Sequence, residues 1–579
     1  MAMFTGFHAY DDEGYFLITL RDYLGGQPLL NPAAPVNGPF FTETMGGLFR
    51  LLGLVPDHDS GRYVTLGTWL ITSVIAGLTA YRLTRSLWLG LSAQLVMFHV
   101  LGALTTEPMS PSGLVSLLLV SLVAVASFRS ARPRATAAVI GAIVGALCLT
   151  KINVGGFAAF AVIFAWAGSI ASRWRRVLLP ASGLAIILLP PVLMAPLLSQ
   201  GWVWEFAAGV ALSGVVVAMS ALTLASRLVV PASSLWFAGG GVVLVAACTV
   251  IALIGGSNLG DWWNGLVVVS LRIPRLFTWP LQVNLGFDVW AAAILAAALA
   301  TSFLSRLPVA VAGATRVAAG LFTLLAALLL PSSIFVLALP LAWIASAAPS
   351  REEDDPVGGY CRLLLPALAV LEALQAYPVA GTELSLAAVS IVPVGAVILG
   401  DGIRQLQGAG LRVPARRAAW AVPAALLVNV QVLLLVAYLA AAGFFAAAPL
   451  GLPGAGSVRL PGEDASQLRD LVAAIDRDCS EFITLPGMNS LYLWTGQKPP
   501  TDVRSEIWMI TLDDASQQSL VQQLEGMPRL CVVRNQKVID FWTHGAAVPD
   551  RPLIRFVGTS FAAGGTFGDY DLLIRKTTG

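Results

Sequence analysis

The sequence predicts a polytopic α-helical membrane protein with about fourteen spans and a small C-terminal extracytoplasmic α/β domain. The first observation is composition: only 12% of the 579 residues are charged and 57% are hydrophobic, whereas a soluble protein carries about 25% charged residues. The second is that apolar stretches recur from 63 to 442 and stop after about 450. This pattern excludes an ordinary soluble enzyme and a disordered protein. A net charge of +2 predicts no nucleic-acid partner.

Each apolar stretch is long enough, at about 20 residues per helix, to be interpreted as a span. The predicted spans are 63–82, 86–104, 112–128, 135–150, 155–172, 177–198, 206–225, 234–255, 287–304, 309–330, 331–348, 360–377, 384–400 and 418–442. The least certain boundaries are those of 206–225 and of the hairpin at Pro331.

The loops set the orientation, because cytoplasmic loops accumulate Arg and Lys. Every odd-numbered loop is basic: Arg82 and Arg85, Arg129, Arg132 and Arg134, Arg173, Arg175 and Arg176, Arg227, Arg306, Arg351 and Arg362, and Arg404, Arg412, Arg416 and Arg417. The even loops, such as 105–111, 199–205 and 377–383, are short and neutral or acidic. The alternation places the N-terminal segment, the even loops and the C-terminal domain outside the cytoplasm.

With only four lysines, the composition suggests a GC-rich bacterium and hence its cytoplasmic (inner) membrane.

The chain divides into four parts. Residues 1–62 form an acidic extracytoplasmic segment, 63–442 the transmembrane helical domain, 443–458 a linker and 459–579 the α/β domain. The acidic first part must cross the membrane without a preceding span. We therefore expect a late start with one helix missing upstream, and translocation of the N-terminal tail by itself is the alternative.

The C-terminal domain has the pattern of alternating helices and strands. We predict helices at 464–477 and 514–524 and strands at 481–485, 530–534 and 570–574. Cys479 and Cys531 fall near predicted strands, where they form either a disulfide in an oxidising compartment or two free thiols.

The first candidate site is Asp11-Asp12-Glu13. Adjacent carboxylates repel one another, which raises their pKa values and suits a general base or a metal ligand. A solvated acidic loop is the alternative. After it, Gly38–Leu54 places Phe41, Met45, Leu48, Phe49 and Leu52 on one helical face, as in a helix on the membrane surface or a short buried helix.

Further candidates lie in the outside loops. Glu107 is the one acid between 60 and 200, and its alternative role is helix capping. Lys151, Arg272 and Arg275 break the positive-inside pattern, and such cations suit either a lipid-linked phosphate or anionic headgroups. Trp262, Trp263 and Trp279 are interpreted as interfacial anchors, and the turn 377–383 ends in a further acid, Glu383. No histidine pair has metal-ligand spacing.

The order of these features resembles the GT-C superfamily of integral-membrane glycosyltransferases, which includes lipid A aminoarabinose transferases, protein O-mannosyltransferases and actinobacterial arabinofuranosyltransferases. Asp12-Glu13 within Tyr10–Tyr15 resembles the acidic motif of the family's first outside loop. Gly38–Phe41 resembles its juxtamembrane segment, and Thr106-Glu107-Pro108 its second-loop acid. In the tail, the similarity covers Leu485-Pro-Gly, Tyr492–Gly496, Lys498-Pro-Pro and Gly568–Leu573.

The resemblance implies a GT-C-like fold, a sugar donor carried on polyprenyl phosphate, and transfer with inversion to a glycan, lipid or protein acceptor on the outer face. Asp12 would be the general base, with Asp11 or Glu13 as helper. Lys151, Arg272 and Arg275 would stabilise the leaving phosphate. Glu107 would orient the acceptor or, with Asp12, bind a divalent cation such as Mg²⁺ or Mn²⁺, which only some family members use.

Two other functions fit a chain of many spans. A secondary transporter carries ionisable residues near the midplane and shows repeats, whereas this chain has few mid-span charges, Arg316 and Glu372 being the clearest, and no evident repeat. A non-catalytic envelope protein that binds lipid or glycan is the other alternative.

Overall fold

The computed structural model describes residues 1–29, 38–128, 132–170, 173–224, 234–281, 286–301, 303–329, 335–347, 357–410, 412–501 and 508–576. The N-terminal segment and the helical domain contain nineteen α-helices within these ranges. They are α1 (Asp12–Leu24), α2 (Pro39–Leu52), α3 (His58–Thr84), α4 (Leu87–Gly102), α5 (Pro111–Ala126), α6 (Pro133–Thr150), α7 (Ile152–Ser169), α8 (Arg175–Leu193), α9 (Gly201–Leu224), α10 (Ser234–Ile254), α11 (Leu259–Trp263), α12 (Val269–Leu276), α13 (Gly286–Ala300), α14 (Val309–Leu329), α15 (Phe335–Ala338), α16 (Gly359–Glu372), α17 (Glu383–Val389), α18 (Ile391–Gly408) and α19 (Arg412–Ala446).

Among the described residues, eleven helical segments are long and apolar enough to cross a membrane, and three shorter apolar helices lie at Pro111–Ala126, Gly286–Ala300 and Val336–Ser346. The predicted spans fall on these helices, which confirms the helical membrane fold. The exact number of fourteen spans stays a prediction. The segment predicted as span 331–348 is not one α-helix in its described part, because α15 passes into a 3₁₀ helix at Leu339–Ser346.

Local sequence fixes where several helices begin. Pro39, Pro111 and Pro133 each stand in the first turn of a helix, where a missing N–H costs no hydrogen bond. Before α3, Asp57 and Ser60 form a reciprocal capping box. These caps separate the surface loops sharply from the apolar helices.

One end of the helical bundle carries arginines from the odd loops. Arg82 donates hydrogen bonds to Ser127 of the third loop, and Arg404 donates to the Thr84 carbonyl of the first loop at 2.9 Å. At this end Arg362 pairs with Asp401 at 2.7 Å, and both side chains are fully buried. Arg129, Arg227 and Arg351 lie outside the described residues.

The opposite end collects the N-terminal segment, the described even loops and the C-terminal domain. Arg62 at the start of α3 holds Glu13 of α1 through two hydrogen bonds of 2.7 and 2.8 Å. Asp59 accepts hydrogen bonds from the backbone of Gly456 and Ser457, beyond the last span. The parts of the chain that charge alternation assigned to one side therefore share one end of the bundle.

The C-terminal part is an α/β domain, as predicted. Its elements are β1 (Ala448–Pro449), β2 (Arg459–Leu460), α20 (Gly462–Asp478), β3 (Glu481–Leu485), α21 (Ser490–Thr495), α22 (Trp508–Thr511), α23 (Asp514–Glu525), β4 (Leu530–Asn535), α24 (Gln536–Thr543), α25 (Pro552–Ser560), β5 (Phe561–Phe567) and β6 (Tyr570–Arg575). The main sheet has the order β3-β4-β6-β5, with β3 and β4 parallel and the other pairs antiparallel.

Two further expectations have structural outcomes. Cys479 and Cys531 form a disulfide between the end of α20 and β4, which decides between the two alternatives. The predicted amphipathic segment is helix α2, which buries Phe41, Met45 and Phe49. Thr42 is also buried, whereas Leu52 is largely exposed because the helix ends there, so the apolar face differs from the predicted one.

Candidate functional site

The site is built from four side chains that lie far apart in sequence. Asp12 is the first residue of α1, Glu107 precedes α5, Lys151 joins α6 to α7, and Glu383 begins α17. The Lys151 ammonium lies 3.2 Å from the Glu383 carboxylate. Thr382 donates a hydrogen bond of 2.8 Å to the Glu107 carboxylate, so the loops of Glu107 and Glu383 are joined directly. We call Asp12, Glu107 and Glu383 the carboxylate cluster.

Backbone geometry fixes the position of Lys151. The residue is extended, with φ −141° and ψ 112°, so it interrupts the hairpin of α6 and α7. The two helices approach closely at Gly155, where a Cβ atom would lie 2.2 Å from the Cys148 nitrogen. Only glycine fits there without moving backbone, and this close packing holds Lys151 at the outer turn of the hairpin.

Electrostatics within the cluster favour protonated carboxyls. Burial, and then the negative charges of Glu383 and Asp11, raise the pKa of Asp12 to about 7, while the positive charge of Lys151 opposes the increase. Burial and then the charges of Asp12 and Glu383 also raise the pKa of Glu107 well above its ordinary value. Burial and the nearby Glu107 raise the pKa of the Tyr10 phenol. A carboxyl with a pKa near neutrality is suited to proton transfer at physiological pH.

A cavity of about 170 Å³ opens beside Lys151 and Glu383. Its polar lining comes from Asn153, Ser270, Gln375 and Tyr377, and its apolar lining from Ile152, Val154, Leu193, Pro274, Pro378 and Val379. The volume is below the 300–1,000 Å³ typical of pockets for drug-sized ligands. It is suited to a head group whose remaining part extends along the helices.

Two of the predicted catalytic residues have other partners. Asp11 caps α1 by accepting from the Gly14 nitrogen at 3.0 Å, and it also accepts from the backbone and hydroxyl of Ser490. Glu13 is 4% exposed and paired with Arg62. Both carboxylates thus help to hold α1, and a role for either one as a helper of Asp12 stays a prediction.

The three basic residues predicted to bind phosphate do not all lie at the cavity. Lys151 lines the cavity, as does Pro274 of α12, but the Arg272 side chain on the same helix is exposed. Arg272 lies near Asp513 of the C-terminal domain: hydrogen bonds from Ser516, and more weakly the charge of Arg272, lower the pKa of Asp513. Arg272 is not among the residues that line the cavity, and its predicted contact with the leaving phosphate stays a prediction. The Arg275 side chain lies outside the described residues.

An aromatic contact connects the site to the C-terminal domain. The Trp279 ring lies 4.7 Å from the Phe541 ring and 4.8 Å from the His544 ring, and Tyr10 stacks on Phe541 at 5.6 Å. The backbone of Trp279 forms two hydrogen bonds with the turn that follows Tyr377: its amide donates to the Pro378 carbonyl, and its carbonyl accepts from the Ala380 amide. Trp279 is thus a contact between domains, whereas the sequence indicated an interfacial anchor.

Sequence reasoning missed the partners that complete the cluster. Glu383 was noted only as an acid at the end of a turn, and Thr382, Asn153 and Gln375 were not singled out. The available signal was that Lys151 and Glu383 both lie in even loops, on the same side of the membrane. Nothing local in the sequence identifies two residues 232 positions apart as an ion pair.

Within the described residues, no group of three His, Cys, Asp or Glu side chains is arranged to hold a metal ion. The Glu107 oxygen Oε2 already accepts from Thr382. Asp12 and Glu107 therefore have no third ligand of these types beside them among the described residues. A divalent cation stays a prediction.

Fold and site define a polytopic helical membrane protein with a half-buried acid–base cluster at the end that carries its α/β domain. No protein-family model matches the sequence, and no curated protein matches it significantly. Solved structures of two proteins, an oligosaccharyltransferase and ArnT, are similar to this chain.

The first is the oligosaccharyltransferase of Archaeoglobus fulgidus tethered with an acceptor peptide, at 14% identity and a TM-score of 0.40 over 97% of this chain and 70% of that chain. The apo form of the same oligosaccharyltransferase matches at 13% identity and a TM-score of 0.36, over 98% of this chain and 71% of that chain. ArnT from Cupriavidus metallidurans, bound to undecaprenyl phosphate, matches at 12% identity and a TM-score of 0.34, over 98% of this chain and 94% of that chain.

Proposed function

We propose that the protein is an inverting glycosyltransferase of the GT-C type. It would move a sugar from a polyprenyl-phosphate donor to a cell-envelope acceptor on the outer face of a bacterial cytoplasmic membrane. The observation that carries the proposal is Asp12, a carboxyl with a pKa of about 7 that interacts with the charge of Lys151. Lys151 in turn lines a cavity at one end of a membrane helix bundle.

Asp12 is the general base in this proposal. Its carboxylate accepts the proton of the acceptor hydroxyl while the hydroxyl oxygen attacks the anomeric carbon of the donor sugar. The bond between that carbon and the phosphate oxygen breaks, and its electron pair leaves with the phosphate. A single displacement from the opposite face inverts the anomeric configuration. The pKa near 7 supports the role, because a base is most effective when its pKa is close to the working pH.

Lys151 stabilises the leaving group. A phosphate leaves as a stable anion, so it needs a nearby cation more than it needs an acid. Lys151 lies at the cavity, where Glu383 pairs with it at 3.2 Å and holds it in place. The donor phosphate would displace or share this contact. Apolar cavity walls support a donor whose phosphate is linked to a lipid.

Glu107 orients the acceptor. Thr382 fixes one carboxylate oxygen by its hydrogen bond, which leaves the second oxygen for an acceptor hydroxyl. The charges of Asp12 and Glu107 influence each other, so a hydroxyl held by Glu107 is close to the base. The aromatic contact of Tyr10 with Phe541 places the C-terminal domain over the same region, where it is suited to contact the acceptor.

The test is sugar transfer in membranes from polyprenyl phosphates that carry different sugars. We expect Asp12→Asn to lower the rate at least about 10²-fold, the lower range of general-base contributions. Asp464→Asn, on the exposed first turn of α20, is the matched control and should transfer like the wild type. Equal transfer by wild type and Asp12→Asn would refute the assignment of the base. Donor binding without transfer by the wild type would instead indicate a non-catalytic envelope protein.

A further inference from the structure

Glu372 and Gln375 form a buried polar pair that the mechanism above does not use. The α-helix α16 ends at Glu372 and continues as a 3₁₀ turn through Ala373–Ala376. Pro378 follows and disfavours helical conformation at Tyr377. Residues three apart lie on one face of such a turn. Glu372 and Gln375 are accordingly side by side, 0% and 2% exposed.

One hydrogen bond joins Gln375 to Glu372, and each side chain has an oxygen atom without a partner among the described residues. The Gln375 amide nitrogen donates to Glu372 Oε2 at 2.6 Å. Among the described residues, no partner meets Gln375 Oε1, Glu372 Oε1 or the Tyr377 hydroxyl, and all three atoms are buried. Buried polar atoms are almost always paired, so three unpaired atoms within six residues indicate that a ligand completes their bonding.

The cavity is where that ligand would lie. Gln375 and Tyr377 form part of its wall together with Lys151, Asn153 and Ser270. One amide hydrogen of Gln375 bonds to Glu372, and the Gln375 atom without a partner among the described residues is its carbonyl oxygen. An acceptor oxygen of this kind repels phosphate oxygens and binds hydroxyl groups. The cavity thus combines a cation, Lys151, with a separate acceptor of hydrogen bonds.

We infer that Gln375 recognises a hydroxyl group of the donor sugar and that Glu372 is the positioning residue that orients its amide. The inference rests on the proposed function, since it divides the donor between Lys151, which contacts the phosphate, and Gln375, which contacts the sugar. It makes Gln375 a determinant of which sugar is accepted.

Binding of two probes to the purified full chain tests this division. One probe is farnesyl phosphate, and the other is a farnesyl phosphate that carries mannose, glucose or arabinofuranose. We expect Gln375→Leu to weaken binding of the preferred sugar-bearing probe about five- to tenfold, the effect of one neutral hydrogen bond, and to leave farnesyl phosphate unchanged. Glu372→Leu should do the same, and the double variant should lose no more than Gln375→Leu alone. Lys151→Met should weaken both probes.

The outcomes separate the inference from the proposed function. Equal weakening of both probes by Gln375→Leu would overturn the inference, because a merely structural residue acts on both. Unchanged binding of both probes would also overturn it, while the proposed function stands. A wild type that binds neither probe would overturn the proposed function and the inference together.

Discussion

Asp11, Asp12 and Glu13 are adjacent in sequence but have three different environments. Asp11 accepts hydrogen bonds at the start of α1, Glu13 pairs with Arg62, and Asp12 faces Lys151 and the other two acids of the carboxylate cluster. Asp11 precedes the helix as its cap, and the successive helical residues Asp12 and Glu13 point about 100° apart, so the three carboxylates meet three different neighbours. A single acidic motif therefore supplies a cap, an ion pair and a candidate base.

The pH dependence of transfer follows from Asp12. A general base works when it is deprotonated, so kcat/KM should increase as the pH rises through the Asp12 pKa of about 7. Glu383→Gln removes a negative charge that raises this pKa, so the increase should move to lower pH. Lys151→Met removes the opposing positive charge, so the increase in kcat/KM should move to higher pH. Rate profiles of the three proteins measure the effect, and a shift of both variants in the same direction would contradict the assignment.

At the scale of elements, helix α1 is held from both sides. Arg62 of α3 pairs with Glu13 and donates to the carbonyls of Met3 and Gly6. On the other side Ile18 belongs to the hydrophobic core of the C-terminal domain. The backbone of α21 is so close that a Cβ on Gly14 would lie 2.3 Å from the Ser490 nitrogen. The position of Asp12 thus depends on a helix fixed between two domains.

Breaking the Arg62–Glu13 pair should destabilise the protein strongly. Both side chains are nearly inaccessible, and removing one partner leaves a buried charge uncompensated, at a cost of about 3–5 kcal/mol. We expect Arg62→Met to lower the thermal unfolding midpoint in detergent by many degrees.

The exposed pair of Lys537 and Asp569 provides the control. An exposed pair contributes about 0–1 kcal/mol, so Lys537→Met should leave the midpoint nearly unchanged. Adding Glu13→Gln to Arg62→Met should restore part of the stability, since it removes the uncompensated charge. Similar midpoints for Arg62→Met and Lys537→Met would show that the buried pair does not hold α1.

At the scale of the whole molecule, the sequence predicted two kinds of feature: those set by a short stretch of residues, and those that add up over many loops. Each span is a property of about 20 consecutive residues, and strands β3, β4 and β6 have apolar runs of their own. Strand β5, with the sequence FAAGGTF, has little strand propensity and exists because it pairs with β6, so it was missed. The pairing of Lys151 with Glu383 was missed for the same reason, since it depends on how α7 and α16 pack. Arginine alternation predicted which loops share an end, because it sums over many loops.

The orientation of the bundle in the membrane is the remaining prediction at this scale. The acidic end carries the α/β domain with its disulfide, and disulfides persist in oxidising compartments. The opposite end carries the loop arginines, which mark the cytoplasmic side. We therefore expect the residues of α20 outside the cytoplasm and the end of α18 on its cytoplasmic side.

Cysteine labelling of intact cells tests this orientation in a chain whose three cysteines outside the disulfide, Cys148, Cys248 and Cys361, are replaced by alanine. Asp470→Cys on exposed α20 should react with a membrane-impermeant maleimide. Ala409→Cys, equally exposed just after α18, should react only after the membrane is permeabilised. The reverse pattern would place the carboxylate cluster in the cytoplasm. A donor made available on the outer face would then have no access to Asp12, and the proposed reaction would fail with the topology.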